Sequence, residues 1–168
     1  MPAILAVALL VMLAGRAGLL NPTLRVGDPA PEIALADLDG NPVVLSQLRG
    51  RPVIVNFFAS WCLPDCAREF PLLAQALEAH GAAGLAVIGV VYHDRSEAAR
   101  AFGRQYFASW PLIMDPDNAV ARAYGVLGPP ETWFVGRDGR IAARQVGAFT
   151  AAELDAQLAI ILAIPDES

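Results

Sequence analysis

The chain reads as an α/β domain built on a central mixed β-sheet flanked by helices, and three observations carry that reading. Two apolar runs, at 53–58 and 85–92, are each followed by a stretch of helical pattern. Runs without polar alternation mark strands covered on both faces. Late in the chain, strand-like runs at 132–135 and 141–146 flank Gly136-Arg137-Asp138-Gly139 and predict a hairpin. Strands alternating with helices, then closing on a hairpin, give a sheet with helices on both faces.

The elements follow in order. Residues 1–20 are almost wholly apolar, with Arg16 the one charge. The run is short for a spanning helix, which needs about 20 residues, and it lacks the basic start of a secretory signal. It reads as an uncleaved membrane anchor, a cleaved signal, or a buried helix of the domain. The first two place the rest of the chain outside the cytoplasm, where a lasting disulfide is stable. Residues 21–25 read as a linker, and the domain spans 26–165. After an extended entry at 26–31, strands at 32–36 and 43–45 flank the turn Asp37-Leu38-Asp39-Gly40 and form an N-terminal β extension. Ser46 would cap a brief helical turn that ends at Gly50. The buried strand at 53–58 leads to a helix over 62–80, with Pro71 inside it as a kink. The strand at 85–92 leads to a helix that Ser96 caps and that reaches about Tyr106. A short strand at 112–114 precedes a short helix over 118–124, stopped by Gly125. After the hairpin, Thr150-Ala151-Ala152-Glu153 is a capping box that starts the last helix, to about Ala163.

At 168 residues the chain is long enough to bury a real core. Its net charge is −5, and all 12 basic residues are arginines, scattered along the sequence. That balance argues against a nucleic-acid surface. Cys62 and Cys66 are the only two cysteines. They cannot form a disulfide framework, so they are one pair with one job.

The setting of that pair is the most informative feature. Trp61-Cys62-Leu63-Pro64-Asp65-Cys66 sits where a buried strand turns into a helix. A thiol there meets the unpaired N–H groups and the positive end of the helix, which favour thiolate. Cys62 is then the low-pKa nucleophile and Cys66, one turn in, the resolving thiol. On an α-helix, residues i and i+4 have Cα atoms about 6 Å apart, inside the disulfide range of roughly 4.4–6.8 Å.

Taken together, these motifs resemble the thioredoxin superfamily, and in detail its membrane-anchored TlpA/ResA/CcmG (DsbE) branch of thiol–disulfide oxidoreductases. Asn56-Phe57-Phe58-Ala59-Ser60-Trp61-Cys62 resembles that branch's entry to the motif, and Cys66-Ala67-Arg68-Glu69-Phe70-Pro71 its exit. The stretch from Tyr124 to Val135, with Gly128-Pro129-Pro130-Glu131-Thr132, is similar to the branch's Y-G-V-x-G-x-P-E-T-F segment. The resemblance implies a thioredoxin-like fold with no cofactor and no metal, and an acid–base carboxylate at Glu69. It makes Pro130 a cis-proline facing the disulfide. Trp61, Pro129, Glu131 and Thr132 would then shape the substrate cleft, Glu131 being either part of it or a solvated loop charge. The implied partners are a client protein disulfide, that of apocytochrome c, and a membrane thiol-electron donor of the DsbD/CcdA kind. The domain would face the periplasm or extracytoplasmic side of a cell membrane.

The spacing departs from this branch, whose cysteines are i and i+3. The extra residue predicts a disulfide that is strained or absorbed by a bulge in the first helical turn, and Asp65 adds a negative charge that opposes thiolate formation. The same C-x-x-x-C spacing occurs in Sco-type copper chaperones of similar fold, which use a distant His as a third ligand. Here only His80 and His93 are present, and neither lies near residues 128–134 in sequence. Copper binding by the thiol pair is the alternative function. Peroxiredoxins also resemble this fold, but carry Thr three residues before the reactive Cys, where this chain has Ala59.

Overall fold

A computed structural model describes residues 24–165. The segment 1–20 and most of the linker lie outside the described residues. Seven strands and four α-helices follow one another as β1 (Ala34–Ala36), β2 (Pro42–Val44), β3 (Val53–Phe58), α1 (Asp65–His80), β4 (Ala86–Val91), α2 (Ser96–Gln105), β5 (Leu112–Met114), α3 (Ala119–Tyr124), β6 (Glu131–Val135), β7 (Ile141–Val146) and α4 (Ala151–Ala163). Among the described residues, no helix is long and apolar enough to cross a membrane.

The central sheet has the order β5-β4-β3-β6-β7. β3 runs parallel to β4, and β4 to β5, whereas β6 is antiparallel to both β3 and β7. β3 is the middle strand, and all six of its residues are buried. That burial is why its sequence is a continuous apolar run with one interruption, Asn56. Alternation along the strand sends Ile54, Asn56 and Phe58 to one face and Val53, Val55 and Phe57 to the other.

Two apolar layers result. Ile54, Phe58 and Phe134 pack under Phe70 and Leu73 of α1, Phe102 of α2, and Leu154, Leu158 and Ile161 of α4. Phe70 is the hub of an aromatic cluster with Phe58, Phe102 and Trp110, at centroid distances of 4.8, 4.9 and 5.2 Å. On the opposite face, Val55, Phe57 and Trp133 pack under Tyr124 of α3 and under Ile33, Val43 and Leu45 of the N-terminal β1–β2 hairpin. Leu24, from the expected linker, packs against this second layer.

Several element ends differ from expectation, each for a tertiary reason. The helical turn at Leu45–Leu48 is not capped by Ser46. Glu32 accepts the Ser46 N–H instead, from 14 residues away. Ser96 is likewise no cap: it is the first residue of α2, and Arg95 precedes it without a side-chain cap. α3 starts at Ala119 because Asp115 accepts the N–H groups of Val120 and Ala121. The capping box at Thr150 and Glu153 is present in both directions. The largest difference concerns α1, which begins at Asp65 rather than at Cys62.

Candidate active site at the Cys62–Cys66 disulfide

β3 ends at Phe58, and the chain turns through Ala59 to Pro64 before α1 begins. This turn is tied down from both sides. The Cys62 N–H donates to the Ala59 carbonyl at 3.2 Å and the Cys66 N–H to the Cys62 carbonyl at 2.9 Å. Asp94 accepts the Ser60 N–H at 2.6 Å, and the Trp61 ring N–H donates to the His93 carbonyl at 3.1 Å. The loop after β4 therefore braces the motif, although more than 30 residues separate the partners.

Cys62 and Cys66 form a disulfide with a Cα–Cα distance of 5.4 Å. The extra residue is taken up in the turn ahead of α1, not by a bulge within the helix. Cys62 keeps 8 % of its surface exposed and Cys66 none. Asp65, at the first position of α1, is exposed and lies 3.6 Å from Arg68 on the same helix.

The polar groups behind the disulfide are more unusual. Glu69 is fully buried on the inner face of α1, one turn beyond Cys66. Its Oε2 accepts from the Asn56 side-chain amide at 3.0 Å, and its Oε1 accepts the Phe149 N–H at 3.1 Å. The same Asn56 amide nitrogen donates to the Thr132 hydroxyl at 2.9 Å. Burial pushes the Glu69 carboxyl up to about 7; the Asn56 and Phe149 hydrogen bonds pull it down, and the charge of Asp65 adds to the rise. A carboxyl so poised exchanges its proton near neutral pH.

The segment ahead of β6 carries the Gly128-Pro129-Pro130 run. The Pro129–Pro130 peptide is cis, as is Leu63–Pro64. Pro130 is buried, Pro129 half-buried, and the Pro130 carbonyl accepts the Gly147 N–H at 2.9 Å. Trp61, Leu63 and Leu127 are exposed large apolar side chains, the last at 90 %.

Thr132 and Glu131 are held within the sheet. Both are on β6 and buried, at 0 % and 1 % exposure. Glu131 is therefore no solvated loop charge. Adjacent strand residues point to opposite faces: Thr132 joins Asn56 and Glu69, while Glu131 points to the other layer. There its Oε1 accepts from Arg144 Nε at 2.8 Å and from the Trp133 ring at 2.9 Å. Asn56 and the bracing contacts of Asp94 and His93 were missed by sequence reasoning. An Asn breaking a buried apolar strand was the available signal for the first.

His93 is exposed and its ring lies 3.5 Å from the Asn118 amide; His80 is half-buried at the end of α1. Among the described residues, no group of three or more His, Cys, Asp and Glu side chains comes together to hold a metal.

Comparison with known proteins agrees with this geometry. Residues 26–144 match the AhpC/TSA family. The thiol-disulfide oxidoreductase ResA of Bacillus subtilis (strain 168) is 31 % identical over 124 residues, covering 74 % of this chain and 69 % of the relative. ResA of Bacillus anthracis is 27 % identical over 135 residues, covering 80 % and 78 %. A thiol:disulfide interchange protein of the thioredoxin family from Chlorobium tepidum TLS superposes with a TM-score of 0.72 at 26 % identity, over 84 % of this chain and 99 % of that one. A secreted Mycobacterium tuberculosis disulfide oxidoreductase homologous to E. coli DsbE gives 0.68 at 25 % identity, over 76 % and 94 %. With the cysteine pair at the head of α1 in a thioredoxin-like fold, the chain belongs to the AhpC/TSA family and is a thiol–disulfide oxidoreductase of the ResA and DsbE kind.

Proposed function

We propose that the protein is a reductase of client disulfides, with Cys62 as nucleophile and Cys66 as resolving thiol. The observation that carries this reading is the ranked exposure of the pair, with a buried carboxyl one turn behind the inner sulfur. In the reduced protein the Cys62 thiolate attacks one sulfur of a client disulfide. A mixed disulfide forms and the other client sulfur leaves as thiolate, to be protonated. Cys66 then gives its proton to Glu69, and its thiolate attacks the Cys62 sulfur. The second client sulfur leaves, and Cys62–Cys66 is oxidised by the two electrons the client has gained.

Trp61 and Leu63, which flank Cys62 in sequence, and Leu127 and Pro129 ahead of β6 are exposed or half-exposed apolar groups, and in this reading they give a client chain apolar contact. Pro130, which has no N–H of its own, leaves the carbonyl before it to a client strand. Thr132 and Glu131 act from beneath, by holding β6 in place. On the resemblance to ResA and DsbE, the client is apocytochrome c, and a membrane thiol-electron donor of the DsbD/CcdA kind restores the dithiol. The apolar segment 1–20 then tethers the domain 26–165, through the linker 21–25, on the extracytoplasmic side of the membrane.

Substitution of one cysteine at a time tests the division of roles. Cys66→Ser should accumulate mixed disulfides with a disulfide-bonded client peptide, visible as a mass adduct on Cys62, and Cys62→Ser should not. Adducts forming only on Cys66 would reverse the assignment.

A further inference from the structure

Asn56 is the one polar residue in the buried strand β3, and its side chain is imperfectly satisfied. The amide nitrogen spends its two hydrogens on Glu69 Oε2 and Thr132 Oγ1, at 3.0 and 2.9 Å. The amide oxygen is buried and has no hydrogen-bond partner. This arrangement suits an ionised Glu69, whose two oxygens accept from Asn56 and from the Phe149 N–H and donate nothing. It does not suit a protonated Glu69, whose O–H needs an acceptor that the present orientation withholds.

A half-turn of the Asn56 amide supplies that acceptor. Oδ1 then occupies the place of Nδ2, facing Glu69 Oε2 and Thr132 Oγ1 together, and Nδ2 takes the partnerless place of Oδ1, a cost set against the new bond to the protonated carboxyl. The Thr132 hydroxyl is the partner that permits both orientations, because it accepts in one and, on rotating, donates in the other. We propose that Asn56, seated by Thr132, is the positioning residue of Glu69, and that its amide turns over each time the carboxyl gains or loses a proton. Both charge states of a buried carboxyl are thereby hydrogen-bonded, which keeps proton exchange open where a fixed donor would lock the anion. The use of that exchange by Cys66 rests on the reading above; the amide turnover does not.

Few other groups face this carboxyl. α1 itself brings Asp65, whose charge reaches Glu69, and Cys66 at the preceding turn. β3 brings Asn56, β6 brings Thr132, and the segment before α4 brings the Phe149 N–H. β7 offers the neutral Gln145, in register with Thr132. The Glu131–Arg144 ion pair lies with Trp133 in the other layer.

The test is a carbon- and nitrogen-detected NMR titration of the oxidised protein, following the Glu69 carboxyl carbon and the Asn56 side-chain amide. In the unsubstituted protein both signals should move with one midpoint. In Asn56→Ala the Glu69 midpoint should rise by about one pH unit or more, since the anion loses a hydrogen bond that is worth more than a neutral one. Thr132→Ser, which keeps the hydroxyl, should leave the joint titration in place. An Asn56 amide signal that stays flat through the Glu69 transition would overturn the proposal, as would an unmoved midpoint in Asn56→Ala. The pH profile of thiol exchange in Asn56→Ala separates the two ideas. If Glu69 titrates with Asn56 but the profile ignores the shifted midpoint, the amide turnover stands and the role of Glu69 for Cys66 falls.

Discussion

Two glutamates are buried in the two layers of one sheet, and they are held in opposite ways. Glu131 meets a cation: Arg144 lies at 2.8 Å, and the Arg144 guanidinium also stacks over Trp133 at 4.8 Å from the ring centroid. Glu69 meets only neutral donors, the Asn56 amide and the Phe149 N–H. A countercharge compensates the burial of a carboxylate, whereas neutral donors in a dry site leave Glu69 able to take a proton. The glutamate without the cation is the one behind the disulfide. One buried acid thus serves the architecture, and the other is suited to chemistry.

The largest effect that can sharpen this contrast comes from Glu69→Gln. The folded-state pKa of Glu69, about 7, lies above its ordinary value of 4.5. The folded protein therefore holds a proton that the unfolded chain has already released between those two values. The stabilisation is fully present below about pH 4.5 and is lost as pH rises through about 7, a fall on the order of 3 kcal/mol. Urea unfolding of the oxidised protein at pH 4.5, 6 and 8 should show that fall, and Glu69→Gln should flatten it. A slope retained in the variant would mean that another group carries the titration.

The next effect comes from Arg144→Met. It leaves Glu131 buried without its countercharge and should cost about 2 kcal/mol, less than for a fully buried pair because Arg144 is one-third exposed. The pH profile of thiol exchange should stay put, since Glu131 faces away from the disulfide. A shifted profile would show that the two layers communicate. The smallest effect belongs to Asp65→Asn. Removing this exposed charge should lower the Glu69 midpoint slightly, by an amount that shrinks with added salt.

The fold was legible wherever burial itself writes the pattern. β3 and β4 lie on the two apolar runs, and the Thr150 capping box marks the start of α4 through contacts only three residues apart. The pairing of the two cysteines was legible for the same local reason. What stayed hidden depends on residues distant in sequence. Glu32 rather than Ser46 caps the turn after β2, and the His93 and Asp94 loop braces Trp61 and Ser60. The start of α1 at Asp65 depends on how the turn at 59–64 is held by that loop, which helix spacing counted from Cys62 cannot contain. The burial and ion pairing of Glu131 stayed hidden because Arg144 is 13 residues away, across the hairpin.

The central claim is that Cys62 and Cys66 form one reversible two-electron couple that trades with client disulfides. Equilibration of the protein in graded dithiothreitol redox buffers, followed by alkylation and mass counting of free thiols, tests it directly. The account predicts a single transition between zero and two free thiols, and transfer of the pair of electrons from the reduced form to a disulfide-bonded peptide. Two thiols that persist under oxidising buffer, or a reduced protein that leaves the peptide disulfide intact, would contradict it.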